Sequence, residues 1–271
     1  IARLSGGPTK LFWDHSIRAY DAGLPRTLKS ISRRLSPGKQ LARLIEGMQA
    51  RRTPLLVANS HFVRDLTVKA FPFLKAGDIP VIYNQPDLGR FRPGQSADKS
   101  ALRERFGLPV HCDLILTAGT NFRLKGVHIL IRALAQLPAS VHLAVAGGRG
   151  SSEMLALADG LGVRDRVRFL GRVDDMPSLY RAGDIFVLNT FYDACANAVL
   201  VALACGLPVV STACNGSSAF LRPEAVLPDP ADHARLAQGI AALVHSGPTA
   251  RTDFNPPCGL GPYADLIRNL A

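Results

Sequence analysis

No apolar run in the chain approaches the ~20 residues that a membrane-spanning helix needs, which excludes a helical span within it. Its five cysteines (Cys112, Cys195, Cys205, Cys214, Cys258) are an odd, scattered set with no CxxC spacing. That argues against a disulfide framework and against a structural zinc site, and a reducing cytoplasm is the natural setting. Nor do His61, His111, His128, His142, His233 and His245 fall at metal-ligand spacing. A signal-peptide n-region and h-region are missing, and the chain opens at Ile1 rather than Met, which reads as a chain whose beginning has been lost. Acidic residues are in short supply, with 21 Asp and Glu against 32 Lys and Arg and a net charge of +11.

The rest of the composition is that of an ordinary globular protein, 47% hydrophobic and 20% charged over 271 residues. At one domain per ~150 residues that predicts two domains or one large one. The positive excess is uneven. Residues 1–52 carry eleven Lys and Arg against Asp14, Asp21 and Glu46, a local balance of +8. Within residues 25–45, Leu28, Ile31 and Leu35 recur at helical spacing with Arg33, Arg34 and Lys39 between them. Such a stripe suits an anionic membrane surface, and equally a solvated basic helix. Without interleaved aromatics for base stacking it is a poor nucleic-acid site.

From about residue 100, short apolar runs alternate with helical patterns. The runs are 114–120, 141–148, 166–171, 184–190 and 207–212, at a spacing close to one βα unit. Several are apolar on both faces, as in strands buried in a parallel sheet. The pattern predicts a doubly wound α/β domain. Residues 53–60 and 79–85 read as two further strands flanking a helix, and 86–100 as a Pro- and Gly-rich linker. A short apolar helix closes the chain over 263–271.

Ligands of such sheets bind at the carboxyl ends of the strands. After the first run come Gly119, Thr120, Asn121, Phe122, Arg123, Leu124, Lys125 and Gly126, then a helix. Two cations at a glycine turn before a helix suit a diphosphate, and an exposed basic turn is the plain alternative. After the fourth run, Asp193 reads as the N-cap of a helix of small residues starting near Ala194. The GGRG at 147–150 lacks the spacing of a dinucleotide fingerprint and reads as a strand-end turn.

VANSHFVRD, IPVIYNQPDLGRFRP, GTNFRLKG and VRFLGRVDDMPSLYRAGDIFVLNTFYDACANAVLVALACGLPVVST occur in this order and spacing. Together they resemble glycosyltransferase family 4, retaining enzymes of the GT-B fold that use nucleotide-sugar donors, and within it the lipopolysaccharide core glucosyltransferases. The resemblance covers roughly residues 54–220. It implies that Gly119, Thr120 and Asn121 form the turn facing the donor, and that Lys125, with Arg123, neutralises its diphosphate. Arg172 and Val173 stand where the family contacts the base. Asp193 holds the first acidic position of a Glu-x7-Glu motif, facing the sugar hydroxyls. Ala196, Asn197 and Ala198 fall where backbone amides meet phosphate and sugar. No metal or cofactor is implied beyond the donor itself, taken as UDP-linked.

Two departures stand out. Where the family has its second Glu, binding the ribose, this chain has Val201, and without that acceptor donor affinity falls about ten- to a hundredfold. The family's N-terminal glycine-rich loop has no counterpart, and His15, beside Asp14, is the one candidate catalytic group before the linker. The expected division is a partial acceptor-side domain over 1–93, a donor-binding domain over 94–255 and a C-terminal helix over 256–271 packing back on the first lobe. The expected function is transfer of a hexose, with retention, to lipopolysaccharide core or another glycan or lipid acceptor. The expected location is cytoplasmic and peripheral at the inner membrane face, with no nucleic-acid partner. The alternative is a degenerate member that binds nucleotide without turnover.

Overall fold

A computed structural model of the chain describes residues 56–94, 99–148, 151–251, 253, 255 and 257–268. His15 and the basic stripe at 25–45 lie outside the described residues. Six strands form one parallel sheet: β1 (Asp113–Ala118), β2 (Val141–Ala146), β3 (Val167–Gly171), β4 (Ile185–Leu188), β5 (Val209–Thr212) and β6 (Val226–Leu227). Their spatial order is β3-β2-β1-β4-β5-β6. Before and between them run α1 (His61–Ala70), α2 (Lys99–Arg105), α3 (Val127–Leu134), α4 (Ser152–Gly160), α5 (Met176–Ala182) and α6 (Asn197–Ala204). The last two helices are α7 (His233–Leu243) and α8 (Leu260–Arg268). Among the described residues no helix is long and apolar enough to cross a membrane.

The central strands are largely apolar on both faces because both faces are covered. In β1, Ile115 points into a core with α3, α4 and α7, while Leu114 and Leu116 point into a second core with α5 and α6. The same alternation splits β4, with Ile185 and Val187 on one side and Phe186 and Leu188 on the other. The five strand-like runs of the sequence all become strands. Among the described residues, the two strands expected in the first lobe show only isolated bridges, Ala58 with Val81 and Tyr83 with Cys258. The expected linker also stops short, since Lys99 already opens α2.

The first segment nevertheless packs on the sheet domain. Leu56, Ala58, Val63 and Ile79 form a small core against Ala194, and Tyr83 buries its ring with Cys195 and Leu200. Tyr83 also meets Phe220 edge-on, with ring centroids 5.0 Å apart.

Candidate functional site

The sheet order reverses between β1 and β4, with β2 and β3 on one side and β5 and β6 on the other. The carboxyl edge at such a reversal is where open α/β sheets receive their ligands. Two loops reach it, 119–126 after β1 and 189–196 after β4. Phe191 N donates to Leu124 O at 2.9 Å, and Thr190 Oγ1 stands 3.1 Å from the same carbonyl. Gly126 permits this approach. Its φ is +64°, and a Cβ there would sit 2.0 Å from Asn189 O.

The first loop is wound on Asn121, whose Oδ1 accepts from Leu124 N at 3.1 Å. Lys125 lays its stem across Gly119, where a Cβ would lie 2.9 Å from Lys125 Cγ. Its Nζ reaches Asp193 Oδ2 at 2.5 Å, with each side chain 20% exposed. Two residues 68 positions apart thus meet across the reversal.

Asp193 does not cap α6 as the sequence predicts. Its Oδ1 accepts from Cys195 N at 3.2 Å, and its other oxygen is drawn to Lys125. The helix starts at Asn197, with Ala196 in the cap position and no side-chain cap. Ala196 N donates instead to Asn215 Oδ1 at 3.3 Å. Asn215 Oδ1 also accepts from Ser217 N and its Nδ2 donates to Ser211 Oγ, so its buried carboxamide knits the turn to β5. The backbone amides of Asn197 and Ala198 donate to no described residue. They are the unsatisfied donors of a helix start, and they favour an anion.

The other predicted residues divide. Thr120 and Asn121 are exposed on the first loop. Arg123 is turned away to Glu153 in the first turn of α4, through Nε at 3.1 Å and Nη2 at 2.5 Å. Arg172 is 90% exposed and pairs with Asp174 at 3.1 Å, while Val173 packs on the second core. Val201 is half-buried against that same core, which includes Leu207. Tyr192, beside Asp193, is buried. Burial first, and the Asp193 charge second, push its phenol well above the usual tyrosine range, so it stays neutral. His128, at the start of α3, stacks on Phe191 with ring planes 7° apart, and burial lowers its pKa.

Four residues of this constellation escape sequence reading: Glu153, Asn215, Ser60 and Asn84. Ser60 Oγ donates to Ala194 O at 2.6 Å, and Asn84 Nδ2 donates to Asn197 Oδ1 at 2.9 Å. Their partners lie more than a hundred positions away, so no local pattern could have marked them.

Residues 112–246 match the family model of glycosyl transferases group 1, a stretch holding all six strands and both loops. That stretch is similar to the glycosyltransferase group 1 family. Among curated proteins, the chain is 40% identical over 140 residues to a D-inositol 3-phosphate glycosyltransferase of Xylanimonas cellulosilytica, covering 48% of this chain and 34% of that one. A protein of the same title from a Mycobacterium species is 34% identical over 180 residues, covering 63% and 40%. The chain therefore spans two fifths or less of the length of these relatives. Among solved structures, HepE of Anabaena in complex with UDP and glucose superposes with a TM-score of 0.66 at 25% identity, over 78% of this chain and 62% of that one. WaaG, titled a glycosyltransferase of lipopolysaccharide biosynthesis, gives 0.59 at 24% identity over 70% and 55%, and speaks to the fold alone. These neighbours are GT-B glycosyltransferases, and the described fold is of that type.

Proposed function

We propose that this chain is the donor-binding part of a glycosyltransferase that moves a hexose from a UDP-sugar to an acceptor hydroxyl with retention. The observation that carries the reading is the meeting of Lys125 with Asp193 beside the free amides of Asn197 and Ala198. The UDP held by HepE supports the choice of nucleotide. Residues 94–255 are the donor-binding domain in this reading, 1–93 belong to the acceptor side, and 256–271 close the chain.

The chemistry follows from where charge grows. The bond between the anomeric carbon and the diphosphate oxygen breaks, and negative charge gathers on the departing UDP. Lys125 and the α6 amides, already oriented, stabilise that charge without reorganising. The acceptor oxygen bonds to the anomeric carbon from the face the UDP leaves, and its proton passes to a phosphate oxygen. Asp193 accepts from the donor sugar hydroxyls, and Gly119 gives the diphosphate room beside the lysine stem. Thr120 and Asn121 line the approach. Arg123 and His15 act as auxiliary groups, and Arg172 with Val173 borders the base. The transfer takes no metal and no cofactor.

For the acceptor, the titles of the curated relatives support an inositol phosphate. The core lipopolysaccharide implied by the sequence resemblance rests on a neighbour at 24% identity, so it is the weaker choice. The basic stripe supports work at the inner face of the cytoplasmic membrane. The chain should sediment with anionic but not neutral vesicles, and ~0.5 M salt should release it, since screening there cuts the Debye length to about 4 Å. Equal sedimentation with both vesicles refutes the membrane assignment. Val201 favours a second reading, a module that binds nucleotide without turnover.

Titration calorimetry tests the site. Lys125→Ala should lower UDP affinity at least tenfold, about 1.4 kcal/mol, with the thermal unfolding profile nearly unchanged. Equal UDP affinity in the two proteins would overturn the assignment. Hydrolysis of UDP-hexose by the wild type separates a transferase from the second reading.

A further inference from the structure

The turn that carries Asp193 is held from outside its own domain. Ser60, fully buried, accepts from Val63 N as the cap of α1 and donates the same hydroxyl to Ala194 O at 2.6 Å. Gly216 packs closely against this hydrogen bond. A Cβ there would sit 1.9 Å from Ala194 O and 2.4 Å from Ser60 Oγ, and Gly216 N donates to Asp193 O at 2.9 Å. Asn84 completes the grip, donating through Nδ2 to Cys195 O at 3.3 Å and to Asn197 Oδ1 at 2.9 Å.

The order of donors and acceptors at Asn84 is forced. A backbone carbonyl can only accept, so Asn84 must turn its NH2 toward Cys195 O. The second hydrogen of that NH2 then meets Asn197, which must answer with its oxygen. The NH2 of Asn197 is left pointing away from Asn84, and it donates to no described residue. Asn197 is exposed and opens α6, beside the free amides of Asn197 and Ala198. A group that can only donate, next to two more donors at a helix start, suits the oxygens of an anion.

We propose that Asn84 is a positioning residue that orients the Asn197 carboxamide, so that the Asn197 NH2 is presented to the phosphate oxygens of the nucleotide sugar. The proposal rests on the reading of this turn as the donor site. It makes one polarity at the site depend on a residue of the first segment, 113 positions away. Asn84 itself touches no reacting atom. Removing it frees Asn197 to rotate and offer oxygen in place of NH2.

Two measurements on the full chain test it. By NMR, side-chain amide exchange with water should be slow for the Asn84 NH2 and fast for the Asn197 NH2. Equal rates, or the reverse order, overturn the relay, and no nucleotide is needed. By calorimetry with UDP, Asn84→Leu should lower affinity about fivefold when Asn197 is present and less than twofold in an Asn197→Ala background. A structural role alone would give the same loss in both backgrounds, and that result, or no loss in either, overturns the proposal. If Asn84→Leu fails to fold, Asn84→Ala takes its place in the cycle. A wild type that binds no UDP refutes the donor-site reading, and amide exchange then decides the relay separately.

Discussion

Lys125 and Asp193 each have a plain local explanation, a cation on a turn and an acid after a strand. Only their 2.5 Å contact makes them one site. Both residues stood out in the sequence, and of the two roles read for Asp193 the structure overturns the helix cap. A cap needs a carboxylate free to turn toward the helix, and Lys125 with the Cys195 amide already occupies this one. Val201 poses the opposite problem. It lies four residues after Asn197 on α6, on the same helical face, yet it is half-buried on the second core. A glutamate there can extend its carboxylate past the apolar surface toward the ribose. Val201→Glu should therefore strengthen UDP binding about tenfold, or ~1.4 kcal/mol, while costing ~1–2 kcal/mol of stability from lost apolar packing. Calorimetry and thermal melts read the two effects separately. Unchanged affinity in a folded variant would mean that the ribose lies elsewhere.

Elements were readable in proportion to the burial of their faces. β1, β2 and β4 declare themselves because both their faces are largely apolar, whereas β6, two residues long, carries no period to detect. The segments at 53–60 and 79–85 have strand composition but find only single bridging partners among the described residues. Helix α6 starts three residues later than its composition suggests because Asn215, from beyond β5, takes the amide of Ala196. The junction of β1 loop and α3 was better marked, since Gly126 is where the chain must turn left-handed. Gly126→Ala should cost more than ~2 kcal/mol, from the strained φ together with the collision on Asn189 O. That corresponds to a fall in melting temperature of at least ~4 °C for a chain of this size. UDP affinity should fall with it, because Lys125 is the preceding residue. A variant that melts with the wild type would show that the two loops can separate freely.

Across the whole molecule, the two edges of the sheet do different work. At the carboxyl edge, the loops leave donors and a partly exposed ion pair available to a ligand. At the amino edge, polar groups are consumed. Asp184, just before β4, accepts from Lys99 Nζ at 2.6 Å, from Arg103 Nη2 at 2.5 Å and from Leu114 N at 2.7 Å. Arg103 is 4% exposed and gives three further hydrogens to the carbonyls of Ala182, Val110 and Cys112. This network ties α2 and α5 to the starts of β1 and β4. The sequence hid it because Arg103 lies just past the stretch read as a linker, with no motif to mark it, and because its partner lies 81 positions away. Removing one member of a buried pair leaves the other charged and desolvated, which costs far more than the net worth of the pair. Asp184→Asn should then destabilise the fold by ~3 kcal/mol yet leave UDP affinity of the folded protein within about twofold, since the site lies at the opposite edge. Lys125→Ala should do the reverse. Chemical denaturation and calorimetry on the two variants give a crossed pair of results. A large affinity loss in Asp184→Asn at unchanged stability would show that the amino edge and the binding edge are not separable.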